Sequence, residues 1–268
     1  MEYRFGTSGW SYEKWVGPFY PGNIRSANFL KLYSKVFNAV EVDSSFYGSA
    51  QDEAVISWKN STPGDFKFTA KLPRNITHEL KLRNVERELD GFIQTITLLG
   101  TKLGCILVQL PPFLKYNEGS GRLLPFLELL PDDMRFAIEF RDNSWFRKEV
   151  FDALRKYGAS IVWSEIPVAE VPKILTSDLI YLRLIGDRSI PEDKFGTIIV
   201  DRSEILKKWA NSVREIGDAE MTYIFSNNHF EGFAPGTINR FRRMLGLDEI
   251  GWVERMRGGL DDSQRTLL

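Results

Sequence analysis

Eight short apolar runs set the strongest limit on what this chain can fold into: Tyr3–Ser8, Ala39–Ser44, Phe66–Lys71, Gly104–Leu110, Arg135–Arg141, Ala159–Ser164, Leu179–Leu184 and Met221–Asn227. Each has strand length, and the segments between them carry helical spacing. Phe29, Leu32, Tyr33, Val36 and Phe37 form one apolar stripe, and Leu89, Phe92, Ile93, Ile96 and Leu99 another. Asp52–Asn60, Leu123–Leu130, Phe146–Tyr157, Ser203–Ile216 and Thr237–Leu245 read the same way. Gly100, Gly104, Gly158 and Gly217 stand where helix ends favour glycine. Strand-then-helix units of roughly 30 residues predict an α/β fold of the (β/α)8 TIM-barrel type, a single domain with a parallel eight-stranded barrel and a usual size of about 250 residues. A doubly wound open sheet is the alternative. Gly6-Thr7-Ser8-Gly9-Trp10 lacks the third glycine of a dinucleotide fingerprint, and no P-loop is present. Without a linker-like break, residues 1–250 are assigned to the barrel and 251–268 to a polar tail expected to be loose.

Composition narrows the function classes. With 43% hydrophobic residues the chain can bury a large core, and a net charge of −1 provides no global positive field for nucleic acid or an anionic membrane. The single cysteine, Cys105, precludes an internal disulfide, favours a reducing compartment and reads as a buried packing residue. No run approaches the length of a membrane span, and MEYRFGTSGW lacks the basic-then-apolar pattern of a leader. A cytoplasmic protein without membrane contact is expected.

Within the strands, alternate positions differ in kind. Val40 and Val42 alternate with Glu41 and Asp43, and Phe66, Phe68 and Ala70 with Lys67, Thr69 and Lys71. Phe136, Ile138 and Phe140 alternate with Glu139 and Arg141; Ile106, Val108 and Leu110 flank Leu107 and Gln109; Leu182 and Leu184 flank Arg183. Helices cover the outside of a parallel barrel, so the polar parity is predicted to point inward. Its members cluster at strand C-terminal ends, where barrel enzymes place their active sites. Glu41, Asp43, Lys71, Gln109, Glu139, Arg141 and Arg183 are therefore expected to converge on one pocket. A second reading stays open, in which these charges only neutralise one another and seal the barrel top.

Several motifs resemble those of the DUF72 (YecE-like) family. They are Gly6-Thr7-Ser8-Gly9-Trp10-Ser11-Tyr12 with Trp15, Val40-Glu41-Val42-Asp43-Ser44-Ser45-Phe46-Tyr47, Phe66-Lys67-Phe68-Thr69-Ala70-Lys71 and Ile76-Thr77-His78. Further along come Leu107-Val108-Gln109-Leu110-Pro111-Pro112, Ile138-Glu139-Phe140-Arg141 with Ser144-Trp145, and Asn227-Asn228-His229 before Gly232. The resemblance implies a TIM barrel and leaves the activity open. That barrel is similar to the endonuclease IV and xylose isomerase group, which suggests a nucleic-acid or sugar role. Endonuclease IV holds its zinc cluster on many His and acidic ligands, and the two histidines here, His78 and His229, cannot build that site. The chain also departs from the family pattern: Asp43 stands where Asn is usual, Asp142 replaces a His after Glu-Phe-Arg, and Ile185 replaces a His after Arg-Leu.

Glu41 and Glu139 are the candidate acid/base groups, in the manner of a glycosidase pair. Lys71 joins them as a catalytic candidate, either for a Schiff base or, with Arg141 and Arg183, as part of a phosphate or carboxylate site. Trp10, Tyr12, Trp15, Phe46, Tyr47 and Trp145 follow strands one, two and five, and are expected around the mouth, stacking on sugar rings or bases. Loop packing is the alternative for Trp10 and Trp15. Asp43, Gln109, Asn227, Asn228 and His229 complete the expected ligand-binding set. No cofactor is expected, although His78 or His229 with Asp43 and Glu41 could hold one divalent ion. The function expected is an enzyme-like barrel, of hydrolase or lyase/isomerase type, that binds a phosphorylated, nucleotide or carbohydrate-like ligand at its C-terminal mouth. The alternative is a non-catalytic nucleic-acid-binding protein.

Overall fold

Alternation along each strand decides the architecture, because it gives every strand one face for the helices and one for the barrel interior. The computed structural model describes residues 1–43, 51–217 and 219–257. Among them lie the eight expected strands, β1 (Glu2–Thr7), β2 (Ala39–Val42), β3 (Lys67–Lys71), β4 (Leu103–Gln109), β5 (Phe136–Glu139), β6 (Ser160–Glu165), β7 (Leu179–Leu184) and β8 (Met221–Ser226). They pair in parallel in the order β1-β8-β7-β6-β5-β4-β3-β2, the sequence of a barrel. Ala39, Cys105, Leu107, Ala137, Val162, Tyr181, Tyr223 and Phe225 pack together on the inner parity. Val40, Phe68, Ile106, Val108, Ile138 and Leu182 take the outer parity and join the larger core under the helices.

Those helices are α1 (Phe29–Val36), α2 (Asp52–Asn60), α3 (Glu86–Ile96), α4 (Tyr116–Glu128), α5 (Lys148–Lys156), α6 (Ser203–Glu215), α7 (Asn228–Glu231), α8 (Ala234–Met244) and α9 (Trp252–Arg257). The helix expected over Leu123–Leu130 begins a full two turns earlier, at Tyr116, and runs through Pro125. Residues 252–257, expected to be loose, form α9, whose Met256 is buried and whose Trp252 packs on Phe19 and Phe233. Gly100, Gly158 and Gly217 have the positive φ expected of helix ends, but Gly104 lies inside β4. It is needed there for close approach, since a Cβ would sit 2.2 Å from the Tyr223 hydroxyl.

The strand–helix alternation fails once. Between β6 and β7, residues 166–178 form no helix. Pro167 and Pro172 bracket β-branched residues there, and proline both removes an amide donor and disfavours helical geometry in the residue before it. Trp209 of α6 leans toward Trp163 (6.1 Å) and donates its Nε1 hydrogen to Glu165 (2.6 Å), leaving a cleft of ≈ 530 Å³ beside it.

Closure between β1 and β2 depends on side chains. Among the described residues the strands share one backbone bridge, Ser8 with Glu41. Below it, the Asn38 amide acts as a rung, accepting from Phe5 N–H (2.8 Å) and donating to Tyr3 O (3.1 Å). The Tyr33 hydroxyl acts as another, accepting from Thr7 N–H (2.8 Å) and donating to Ala39 O (3.1 Å). Gly6 admits this approach, because a Cβ there would lie 2.1 Å from Ala39 O. Tyr33→Phe leaves two buried backbone groups without that partner and is expected to lower unfolding free energy by about 2–4 kcal/mol. Urea unfolding with an unchanged m-value is the check; a loss below about 1 kcal/mol means the seam does not depend on this hydroxyl.

Candidate functional site

The inward polar residues meet around one guanidinium. Arg183, near the end of β7, is 2% exposed, and its charge is met from two sides. Nε and Nη2 donate to the two oxygens of Glu41 on β2 (2.9 and 2.7 Å), a bidentate pair that reaches across the barrel. Nη1 donates to Glu139 on β5 (2.8 Å) and, at a longer 3.4 Å, to the Gln109 carbonyl on β4. The carboxylates are held in turn. Glu41 accepts from the Ser8 (2.7 Å) and Tyr181 (2.8 Å) hydroxyls, and Tyr181 is itself bonded to Thr69 (2.8 Å). Glu139 accepts from Ser164 (2.6 Å) and Arg141 (3.3 Å).

Electrostatics follow from this packing. Burial alone drives Glu139 toward its neutral form, but Arg141, Arg183, the Ser164 hydrogen bond and Lys71 outweigh it and bring the carboxyl down to about 2. Burial likewise disfavours the charged guanidinium, yet Glu139, Glu41 and Asp43 hold Arg183 well above its ordinary value. Glu41 and Glu139, expected as acid/base groups, are thus engaged as fixed acceptors of an ion-pair network.

A second layer lies above the first. Asp43 retains 34% of its side-chain surface and stands 3.8 Å from Arg183 Nη2. Its Oδ1 is buried without a hydrogen-bond partner among the described residues. Burial and the neighbouring Glu41 raise its carboxyl, against the pull of Arg183 and Lys71. Lys71, at the end of β3, is lowered to about 8, chiefly by burial, with Arg183 and Arg141 adding to the effect and Asp43 and Glu139 opposing it. Arg141 is 20% exposed at its side chain. His78 falls to about 4 through burial and the charges of Lys71, Arg74 and Arg141.

The remaining expected residues divide. Tyr12 reaches the mouth, where burial and then the Asp43 and Glu41 charges push its hydroxyl strongly up, but that hydroxyl donates to Ser8 O (2.6 Å). Trp10 is half-buried, edge-on to Trp58 (5.6 Å). Trp15 and Trp145 have no exposed surface: Trp15 donates to Asn228 (3.1 Å), and Trp145 donates to Leu114 O (2.7 Å) while stacking on Phe140. These two rings pack the loops. Asn228 is also buried, its Oδ1 accepting from Ala234 N–H (3.0 Å), while Asn227 caps His229 N–H (3.0 Å). The His229 ring pairs Nδ1 with Ile190 O (3.0 Å) and lies edge-on to Phe195. Phe46 and Tyr47 lie outside the described residues. Sequence reading left Ser8, Thr69, Ser164 and Tyr181 unassigned, although all share the inward parity that marked their neighbours. Among the described residues no group of three or more His, Cys, Asp or Glu side chains is placed to hold a metal ion, and no helix is long and apolar enough to cross a membrane.

With this geometry established, comparison with known proteins gives a consistent picture. The family model described as protein of unknown function DUF72 matches residues 4–257. The chain is 29% identical over 143 residues to UPF0759 protein YecE of Escherichia coli (strain K12), an alignment covering 53% of this chain and 50% of that protein. It is 27% identical over 175 residues to UPF0759 protein YunF of Bacillus subtilis (strain 168), covering 63% and 61%. The chain thus aligns with only about half to three-fifths of the length of these curated relatives. A crystal structure of a DUF72 family protein from Thermotoga maritima MSB8 superposes with a TM-score of 0.80 at 29% identity, over 92% of this chain and 100% of that one. Another, from Enterococcus faecalis V583, has a TM-score of 0.75 at 22% identity, over 92% and 96%, and speaks to the fold alone.

Arg183→Met is expected to destabilise the protein by about 3–5 kcal/mol near neutral pH, because it leaves two buried carboxylates without their shared cation. The sign with pH is defined by Glu139. Its folded value lies near 2 against an ordinary 4.5, so its stabilisation is complete above about 4.5 and is lost as pH falls toward 2. Urea unfolding between pH 7 and 3 should therefore find the gap between wild type and Arg183→Met closing with acid. A gap below about 1 kcal/mol, or one independent of pH, contradicts the network.

Proposed function

The chain belongs to the DUF72 family, and we propose that its barrel mouth is an enzyme-like site for a small anionic ligand, phosphorylated or carbohydrate-like, with proton transfer at Asp43 and Lys71. The observation that carries this reading is the layered arrangement of charge at the strand ends. A buried ion pair is weak support for stability, since well-packed apolar residues often do as well. The lower layer instead acts as a rigid electrostatic floor, and the upper layer joins the partly exposed Asp43 and Arg141 to the buried Lys71.

Among the described residues, Glu41, Glu139 and, when ionised, Asp43 carry the negative charge that faces Arg183, Arg141 and Lys71. Asp43 is raised toward its neutral form, and an entering anion favours that form further while restoring charge to Lys71. A protonated Asp43 presents an O–H where the family resemblance leads one to expect the N–H of Asn, and its buried Oδ1 is a place for a ligand hydroxyl or phosphoryl group. Proton transfer is assigned to these two groups because Glu41 and Glu139 are already saturated with donors; the glutamates position the charges above them. Lys71 and Asp43 are displaced in opposite directions from their ordinary values, and with an anion bound both hold a proton that can be given to it.

Sulfate is a suitable probe because it does not itself titrate near neutrality. Its affinity is expected to hold between pH 6 and 7 and to fall as Lys71 loses its proton above about 8, approaching about tenfold per pH unit. Lys71→Gln should weaken binding by about tenfold or more and abolish that pH dependence. Asp43→Asn, which keeps a neutral donor, should leave affinity unchanged or raise it. Calorimetric titration is the check, and absence of sulfate and phosphate binding to the wild type contradicts the proposal.

A further inference from the structure

One side of the mouth is built differently from the rest. After β3 the chain makes a single π-helical turn over Asn75–Glu79, and Lys81, Leu82 and Asn84 then take left-handed backbone angles (φ 51, 66 and 48°). Such conformations are strained for residues with a side chain, and they recur where a ligand or switch is held. This loop sends two groups to one aromatic ring. His78 lies edge-on to Phe113 (centroids 6.2 Å, planes 80° apart), and the Lys81 ammonium is 5.5 Å from the centroid of the same ring.

Phe113 is 54% exposed, yet it is fixed from behind. Pro111 and Leu114 are buried, Leu114 N–H donates to Pro111 O (3.1 Å), and Leu114 O receives the Trp145 Nε1 hydrogen (2.7 Å). A lone exposed aromatic residue on a mobile tip needs no explanation. The backbone around Phe113 is anchored, and its loop and that of His78 follow the C-terminal ends of the neighbouring strands β4 and β3, which carry Gln109 and Lys71, so the ring stands at that side of the mouth.

Building on the reading of that mouth as an anion site, we infer that its ligand carries a planar aromatic ring beside the anionic group, and that Phe113 is the platform on which the ring lies. Lys71 and Arg141 meet the charge, and the Phe113 face meets the ring. The geometry is preorganised, because the ring's backbone neighbours are already anchored and little freedom is lost on binding. Ring stacking of this kind is worth about tenfold or more in affinity.

The test is calorimetric titration of the whole chain with inorganic phosphate, glycerol 3-phosphate, cyclohexyl phosphate and phenyl phosphate. Phenyl phosphate is expected to bind about tenfold or more tightly than the other three. Phe113→Ala should remove that advantage while leaving the affinity for inorganic phosphate unchanged, and Phe113→Trp should keep it. Equal affinities for phenyl and inorganic phosphate overturn the ring platform but leave the anion site standing. Equal affinities for cyclohexyl and phenyl phosphate overturn planarity as the recognised feature, and an advantage that survives in Phe113→Ala overturns the assignment to this residue. Failure of all four to bind overturns the anion site itself, and the inference with it.

Discussion

Everything at the mouth of this barrel depends on Glu41. Among the described residues its backbone makes the one bridge that joins β2 to β1, its carboxylate takes the Ser8 hydroxyl across the same seam, and its two oxygens hold Arg183 from the far side of the barrel. One side chain thus serves closure and charge together. Where every other neighbouring strand pair has two or more bridged residue pairs, β1 and β2 rely on Asn38, Tyr33 and Ser8, so the seam and the floor of the site form one hydrogen-bonded unit. Disturbing the ion pair also disturbs the place where the sheet becomes a closed surface.

The floor determines what the layer above it can do. A guanidinium shared by two buried carboxylates is fixed in position and charge, because neither partner can reorient without leaving a buried ion unmatched. Asp43 and Lys71 are less constrained. Each is partly stripped of water and sits among charges of both signs, so the state of either responds to a third charge entering the mouth. The donors and acceptors of the floor are already satisfied, which on the proposed reading makes it the foundation for the groups above it.

Much of this was legible in the sequence, and the limits have physical causes. Strand parity placed Glu41, Gln109, Glu139 and Arg183 together because side-chain direction in a strand is a local property. Parity could not reveal that Arg183 lies between Glu41 and Glu139, since partner choice depends on distances across the barrel. Trp145 and Asn228 carried motif signals, yet both are buried loop anchors; an aromatic ring after a strand can face inward or outward, and only the packing of α4 and α8 against the loops decides. Gly104 looked like a helix end because glycine serves both left-handed turns and close approaches, and here the Tyr223 ring required the second. The segment after β6, where no helical spacing was read, indeed forms no helix, with Pro167 and Pro172 as the visible cause. Tyr33 and Asn38 closing the seam left no sequence signal, because any tyrosine on a core stripe reads as packing.

On the proposed mechanism, an anion entering the mouth shifts Asp43 and Lys71 toward their protonated forms above an unchanging ion-pair floor. Proton exchange on binding measures this directly. Sulfate titrated calorimetrically at pH 8, in buffers of different ionisation enthalpy, should show net proton uptake in the wild type that is lost when Asp43 and Lys71 are replaced together by Asn and Gln. Binding with no proton exchange, or with net release, rules that mechanism out.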